Sequence, residues 1–192
     1  MKVLAIAGSL RKDSFSSRLA AAAAGLAPEG VEVELYDGLD GVSNYNQDLE
    51  PTDVPAGVED LREKMEAADA LLIVTPEYNA GVPGVLKNAI DWASRPHGDS
   101  ALQGRPAAII SNSPMPFGAT WANEQVRKAL TITGTPTVER ELVIGKIDEK
   151  LGEDGTITDE AARNDVIAIL SELEELYGQA IQDAPEVATV NA

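Results

Sequence analysis

The chain contains no cysteine, which excludes disulfides, thiolate nucleophiles, zinc fingers and cysteine-ligated iron–sulfur clusters. Histidine occurs once, as His97 in the loop Pro96-His97-Gly98-Asp99. A lone loop histidine beside glycine and aspartate is more often a solvated side chain than a base or a metal ligand. Aromatic residues make up only 4% of the chain, and 15 basic residues face 32 acidic ones, for a net charge of −17. So acidic a surface repels DNA, RNA and anionic lipid, and no nucleic acid is expected as a partner. Long apolar runs are missing as well. Met1–Ala7 is cut off by Arg11, Lys12 and Asp13 before a signal-peptide core could form. The alanine-rich Leu19–Ala27 is far shorter than the roughly 20 apolar residues of a bilayer span. No membrane segment is expected, and the cytoplasm is the expected compartment.

What is present is an ordinary globular composition. A chain of 192 residues that is 44% hydrophobic can bury a core without crosslinks and is too apolar for a disordered acidic tail. One domain is expected over 1–182, with 183–192 as a flexible tail. The charge is unevenly spread. Met1–Ala27 carries Lys2, Arg11, Lys12 and Arg18 against Asp13 alone, a net +3, while Glu139–Ala192 holds 4 basic and 14 acidic side chains, a net −10. An acidic body around one basic segment suits a single anion site, although chance clustering on a solvated face gives the same count.

Short β-type runs alternate with helical stretches. Val3–Ala7, Ala70–Val74 and Ala107–Ile110 are continuously apolar, as strands buried on both faces of a parallel sheet are. Val31–Tyr36 alternates with period two and reads as a strand nearer the edge, and Val138–Ile144 as a fifth strand. Helices are predicted over Ser16–Leu26, Val58–Ala68, Val85–Ala93 with Pro83 in the first turn, and Asn123–Leu130. A terminal helix begins after Thr158, with an apolar stripe of Ala162, Val166, Ile169, Leu170, Leu173 and Leu176. Asp37–Pro55 is predicted as a long surface loop. This order implies an α/β fold, a doubly wound open parallel sheet with helices on both faces. Such sheets bind ligands beyond the carboxyl ends of their strands, where strand order reverses. That selects the loops after Ala7, Val74 and Ile110.

The first loop, Gly8-Ser9-Leu10-Arg11-Lys12-Asp13-Ser14-Phe15-Ser16-Ser17, joins a buried strand to a helix start. Its hydroxyls, its Arg11 fork and the positive end of the helix dipole suit a phosphate. The sequence is neither a dinucleotide fingerprint nor a P-loop. An ordinary turn with Ser16 as helix cap is the plain alternative. The second loop, Thr75-Pro76-Glu77-Tyr78-Asn79-Ala80-Gly81-Val82-Pro83-Gly84, holds backbone amides that can pair with the edge of a flat heterocycle, with Tyr78 along a ring face. Its plain alternative packs Tyr78 on a helix and leaves Glu77 solvated.

Together, Gly8-Ser9-Leu10-Arg11-Lys12-x-Ser14-Phe15 and Thr75-Pro76-Glu77-Tyr78-Asn79…Val82-Pro83-Gly84-x-Leu86-Lys87-Asn88-Ala89-Ile90-Asp91-Trp92 resemble the NADPH-dependent FMN reductases of the flavodoxin-like superfamily. The most similar branch holds the bacterial quinone, chromate and azo-dye reductases, and the resemblance runs from Met1 to about Leu176. It implies a five-stranded sheet of order 2-1-3-4-5, bound FMN, and NADPH or NADH as co-substrate. By the same resemblance Ser9, Arg11, Ser16 and Ser17 would bind the FMN phosphate. Pro76, Glu77, Tyr78, Asn79 and Gly81, with Ser113 and Gly118 from the third loop, would frame the isoalloxazine ring. The implied activity is ping-pong electron transfer from NAD(P)H to quinones, azo compounds, metal oxyanions or free flavin. The flavin N5 would carry the chemistry, so no catalytic side chain and no metal are expected. A homodimer or homotetramer is implied, with Lys87–Trp92 and Ser94–Gly104 as its candidate surface.

The chain departs from the family pattern at two places. Position 16, more often Asn, is Ser16. The third loop, usually Ser-x-Gly-x-x-Gly-Gly, reads Ser111-Asn112-Ser113-Pro114-Met115-Pro116-Phe117-Gly118-Ala119, with Met115 and Ala119 where glycines are expected. Its two prolines stiffen the loop and remove N–H donors. Phe117 or Trp121 could cover part of the ring, although Trp121 reads better as interface or core packing. Two rival functions follow: a flavodoxin-type electron carrier, disfavoured by the make-up of the Gly8–Ser17 loop, and a flavin-free regulatory or scaffold member of the fold.

Overall fold

Val3, Leu4, Ala5 and Ile6 have almost no solvent exposure, and neither do any of the six residues Ala70–Thr75. Runs so apolar can only sit in the middle of a sheet covered on both faces. In the computed structural model, which describes residues 1–50 and 53–183, they are the central strands β1 (Lys2–Ala7) and β3 (Ala70–Thr75). With β2 (Glu32–Tyr36), β4 (Ala107–Ser113) and β5 (Leu142–Gly145) they form one parallel sheet in the order β2-β1-β3-β4-β5. This is the expected flavodoxin-like order. Consecutive strands lie on opposite sides of β1, so its carboxyl end opens at the reversal point where such sheets take ligands.

The helices divide between the two faces. Helix α1 (Phe15–Gly25) and the terminal helix α6 (Glu160–Asp183) cover one face, where Leu19, Ala20 and Ala23 meet Val166, Ile169, Leu170 and Leu173 over Val3, Ala5 and Val74. Helices α2 (Ala56–Glu66), α3 (Gly84–Ala93) and α4 (Thr120–Ile132) cover the other through Leu61, Met65, Leu86, Ile90, Val126 and Leu130. Each large buried aliphatic of this kind contributes about 1.5–3 kcal/mol by leaving water. The predicted stripe on α6 is the buried one, with Leu176 packed at its margin. The sequence positions 184–192, and with them nearly all of the expected tail, lie outside the described residues.

Four elements differ from expectation. Strand β5 is Leu142–Gly145 rather than Val138–Ile144. The preceding segment is held instead by Arg127, whose guanidinium donates to Thr137 Oγ1 at 3.1 Å, the Val138 carbonyl at 2.7 Å and the Arg140 carbonyl at 3.1 Å. Strand β4 runs on through the polar Ser111, Asn112 and Ser113. A short helix, α5 (Ile147–Lys150), follows β5. The segment predicted as a loop over Asp37–Pro55 contains two 3-10 turns, Leu39–Gly41 and Gln47–Leu49, and is tied to α3. There Asn88 accepts the Tyr45 N–H at 2.7 Å and donates to the Ser43 carbonyl at 2.9 Å, while Trp92 Nε1 donates to the same carbonyl at 2.8 Å. Tyr45 meets the Trp92 ring edge-on at 4.9 Å. Trp92 is therefore wholly buried and offers nothing to an outer surface. Within the Lys87–Trp92 motif, Lys87 and Asp91 face outward and pair with each other at 2.6 Å.

Candidate functional site

Gly8 ends β1 with its N–H bonded to the Val74 carbonyl at 2.8 Å. A Cβ at this position would stand 2.9 Å from Leu86 Cδ2 and 3.2 Å from Thr75 Oγ1, so any side chain here would have to push Leu86 aside, and glycine lets the first loop lie close to β3 and α3 without that shift. The loop then delivers Ser14 to the N-cap of α1. Its Oγ accepts the Ser17 N–H at 3.0 Å and lies 2.7 Å from Ser17 Oγ. The next N–H groups, of Phe15 and Ser16, have no partner among the described residues. They are the orphan donors of a helix N-terminus, where the helix dipole favours an anion.

The first, second and third loops converge on one cavity of about 110 Å³, lined by Ser9, Arg11, Ser14, Phe15, Ser16, Pro76, Glu77, Tyr78, Asn112, Ser113 and Pro114. Ser9, Ser14 and Ser16 are all buried, and Arg11 makes no ion pair among the described residues. Buried hydroxyls, free helix N–H groups and an unpaired guanidinium around one small cavity make a donor set complementary to a phosphate.

The polar atoms are held in place from behind. Asn112 Nδ2, at the carboxyl end of β4, donates to Ser16 Oγ at 2.9 Å and to the Thr75 carbonyl at 3.3 Å. Ser9 Oγ lies 3.1 Å from the Tyr78 hydroxyl, linking the first loop to the second. Tyr78 and Gly81 exchange both backbone hydrogen bonds at 3.1 Å around Asn79 and Ala80, whose φ values are +52° and +59°. The second loop thus ends in a two-residue hairpin of the left-handed class, and the N–H groups of Asn79 and Ala80 at its tip have no partner among the described residues. Tyr78 is 48% exposed.

Glu77 is half-buried and is not free. Its carboxylate accepts the N–H of Ala122 at 3.1 Å and so caps α4, whose own N-cap residue, Ala119, makes no side-chain hydrogen bond. In the third loop Ser113 Oγ accepts the Met115 N–H at 3.1 Å, and the Gly118 N–H bonds the Met115 carbonyl at 3.2 Å. These two N–H groups are used within the loop itself. Gly118 has φ +63°, and a Cβ there would meet Val143 Cγ1 at 2.5 Å. Its place is fixed by packing on β5.

Of the residues expected in the site, Ser9, Arg11, Ser16, Pro76, Glu77, Tyr78 and Ser113 line the cavity. Ser17, Asn79, Gly81 and Gly118 do not. Ser17 faces the N-cap, Asn79 and Gly81 belong to the hairpin, and Gly118 lies under the third loop. Ser14, Phe15, Asn112 and Pro114 line the cavity in addition. The one sequence mark of Asn112 is a polar amide two residues past the apolar run Ala107–Ile110 of β4. His97 is exposed and lies elsewhere. Five large apolar side chains stand out on the loops and the first turn of α4: Leu10, Tyr78, Met115, Phe117 (80% exposed) and Trp121 (57% exposed). Trp121 therefore belongs to the surface, not to the core.

Residues 1–149 match the family described as NADPH-dependent FMN reductase. The chain is 42% identical over 164 residues to an NAD(P)H-dependent FMN reductase of Pseudomonas aeruginosa, covering 85% of this chain and 88% of that one. It is 35% identical over 159 residues to a quinone reductase of Escherichia coli K12, covering 80% and 84%. Among solved structures it superposes on FerB, a flavoenzyme NAD(P)H:(acceptor) oxidoreductase from Paracoccus denitrificans, with TM-score 0.84, 35% identity and coverage of 93% and 98%. A flavodoxin from Pseudomonas aeruginosa matches at TM-score 0.58 and 17% identity, a likeness of fold. With the motif-bearing loops gathered at the carboxyl end of a 2-1-3-4-5 sheet and a matching region that spans all of them, the chain belongs to the NADPH-dependent FMN reductase family.

Proposed function

We propose that the protein is an FMN-dependent NAD(P)H oxidoreductase that reduces small acceptors by two electrons: quinones, azo compounds, metal oxyanions or free flavin. The observation that carries this reading is the serine- and arginine-lined cavity at the N-terminus of α1, where three sheet-edge loops meet. The residues present fit the cofactor. Ser9, Ser16, Arg11 and the N–H groups of Phe15 and Ser16 would hold the phosphate dianion. Pro76, Tyr78 and the hairpin around Asn79 and Gly81 would border the ring, with the free tip amides as donors to its edge. Glu77 supports that border by fixing the second loop to α4, Ser17 acts through the Ser14 cap, and Ser113 and Gly118 shape the third loop.

When bound, FMN would supply the redox chemistry, accepting two electrons from NAD(P)H and passing them to an acceptor. The chain binds, orients and shields; no side chain moves a proton in this reading. NAD(P)H and the acceptor would enter the same site in turn, which makes ping-pong kinetics the expectation. The protein acts in the cytoplasm as one domain over 1–182, assembled as a homodimer or tetramer. The apolar rim of Leu10, Tyr78, Met115, Phe117 and Trp121 supports such a contact between copies. Sedimentation as a monomer at micromolar concentration would remove that part.

The test is purification, a flavin spectrum, and oxidation of NADH and NADPH with benzoquinone present. A yellow protein with parallel lines in double-reciprocal plots is expected. A colourless protein that takes up no added FMN overturns the enzyme in favour of a flavin-free role, and a yellow one that oxidises neither nicotinamide leaves an electron carrier. Arg11→Ala should weaken FMN binding roughly ten- to hundredfold, the usual worth of a hydrogen bond to a charged group.

A further inference from the structure

Ser16 and Asn112 are each 1% exposed, yet both line the cavity. The Thr75 carbonyl can only accept, so the part of the Asn112 side chain facing it at 3.3 Å must be the NH2 group. The same nitrogen gives its other proton to Ser16 Oγ at 2.9 Å. An amide held in this way cannot turn over without setting its oxygen against the Thr75 carbonyl. Ser16 Oγ therefore has a lone pair permanently taken from behind, and its own proton has no acceptor among the described residues. The hydroxyl is left to donate, and the open direction is the cavity. A hydroxyl that has been made a donor matches an acceptor-only partner such as an ionised phosphate oxygen, and mismatches an alcohol that must itself donate.

We propose that Asn112 is a positioning residue that sets Ser16 as a one-way donor into the cavity, and that this pair makes the protein prefer flavin carrying a phosphate over riboflavin. The proposal rests on the reading of this cavity as the phosphate pocket and goes beyond it in naming what sets the specificity. Asn112 acts through Ser16, so the two residues should not count twice.

The full-length protein, freed of flavin, is titrated with FMN and with riboflavin, following the quenching of flavin fluorescence. Asn112→Ala and Ser16→Ala are each expected to weaken FMN about tenfold while leaving riboflavin within about twofold. The double variant should lose about tenfold, not a hundredfold, because removing either partner already removes the aimed donor. Asn112→Leu keeps nearly the same side-chain volume without adding charge and covers the case in which the alanine variant does not fold. It removes the amide that sets Ser16, and the preference for FMN over riboflavin should fall about tenfold. An equal loss for FMN and riboflavin overturns the proposal, because Asn112 would then be serving the fold or the ring. Multiplying losses in the double variant, or an unchanged preference in Asn112→Leu, overturn it as well. Failure of the underlying reading looks different: the unaltered protein would bind FMN no more tightly than riboflavin, or Arg11→Ala would leave that preference untouched.

Discussion

The Glu77 carboxylate accepts, at 3.1 Å, the N–H of Ala122, a residue 45 positions later in the chain. It supplies from the second loop the cap that α4 lacks at Ala119, and it places a negative charge at the positive end of that helix. Glu77→Ala is expected to lower stability by about 0.5–2 kcal/mol. Glu77→Gln, which keeps an accepting oxygen but loses the charge, should cost about 0.3–1 kcal/mol. Urea denaturation of the three proteins checks the order. Equal stability of all three would mean that the cap adds nothing in solution.

Two alanines occupy backbone that favours glycine. Ala119 has φ +70° and Ala80 has φ +59°, a region that costs an L-residue roughly 1–2 kcal/mol. Glycine removes that cost and adds about 0.5–1 kcal/mol of unfolded-state entropy. Ala119→Gly and Ala80→Gly should therefore each stabilise by up to about 1 kcal/mol, a rise in Tm of about 2–4 °C for a chain of this size. Thermal unfolding followed by circular dichroism reads this directly. A lower Tm in both would mean that the alanine methyl groups pack more favourably than their φ angles cost.

The parts of the fold that were legible in the sequence are those where burial is complete. Val3–Ala7, Ala70–Val74 and Ala107–Ile110 are apolar without a break because helices cover both faces of each strand, and a period-two strand such as Glu32–Tyr36 marks an edge. Val138–Glu141 leads straight into the apolar Leu142–Ile144 and so reads as one strand with it, but the Val138 and Arg140 carbonyls are taken by Arg127, and the long-range pull of a guanidinium leaves no local signal. The first loop could be read because serines, arginine and a helix start stand together. Asn112 and the capping role of Glu77 could not. Each depends on a partner brought close by the sheet, Ser16 across 96 residues and Ala122 across 45. The family motif Lys87–Trp92 was visible, but its purpose was not, because Asn88 and Trp92 point at a loop with no pattern of its own.

That loop yields a separate prediction. Asn88 bonds both Tyr45 and Ser43, and Trp92 Nε1 shares the Ser43 carbonyl. Asn88→Ala removes two of these bonds and leaves the Tyr45 N–H without its acceptor, at a cost of about 1–3 kcal/mol. Hydrogen exchange over 42–50 should speed up by more than exchange in the central strands. Trp92→Phe drops one bond to a carbonyl that Asn88 still serves, worth about 0.5–1.5 kcal/mol, and leaves part of a fully buried indole site unfilled at a further cost. Exchange that rises equally in loop and strands would show a global loss of stability rather than release of a strap.

Asp69 precedes β3, where its carboxylate accepts the Lys2 N–H at 2.7 Å and the Tyr177 hydroxyl at 2.8 Å, tying α6 to the start of the sheet. Burial pushes this carboxyl up, but the two hydrogen bonds, with the positive chain terminus and Lys2 nearby, outweigh it and hold the group below its ordinary value. In the unfolded chain Asp69 returns to about 3.9, so between that value and the lowered folded one the unfolded state binds the extra proton. The stabilisation is complete above about pH 4 and is lost as pH falls through the folded value. Asp69→Asn should therefore be less stable by about 1 kcal/mol at pH 7, a modest figure because the site is partly exposed. The gap from the unaltered protein should close on acidification below pH 4. The Tyr177 phenol provides a second readout. Its hydrogen bond to Asp69, then burial, raise its titration above the ordinary value, so in Asp69→Asn its phenolate absorbance should appear at lower pH. A stability gap independent of pH, with Tyr177 unmoved, would show that the aspartate acts by shape alone.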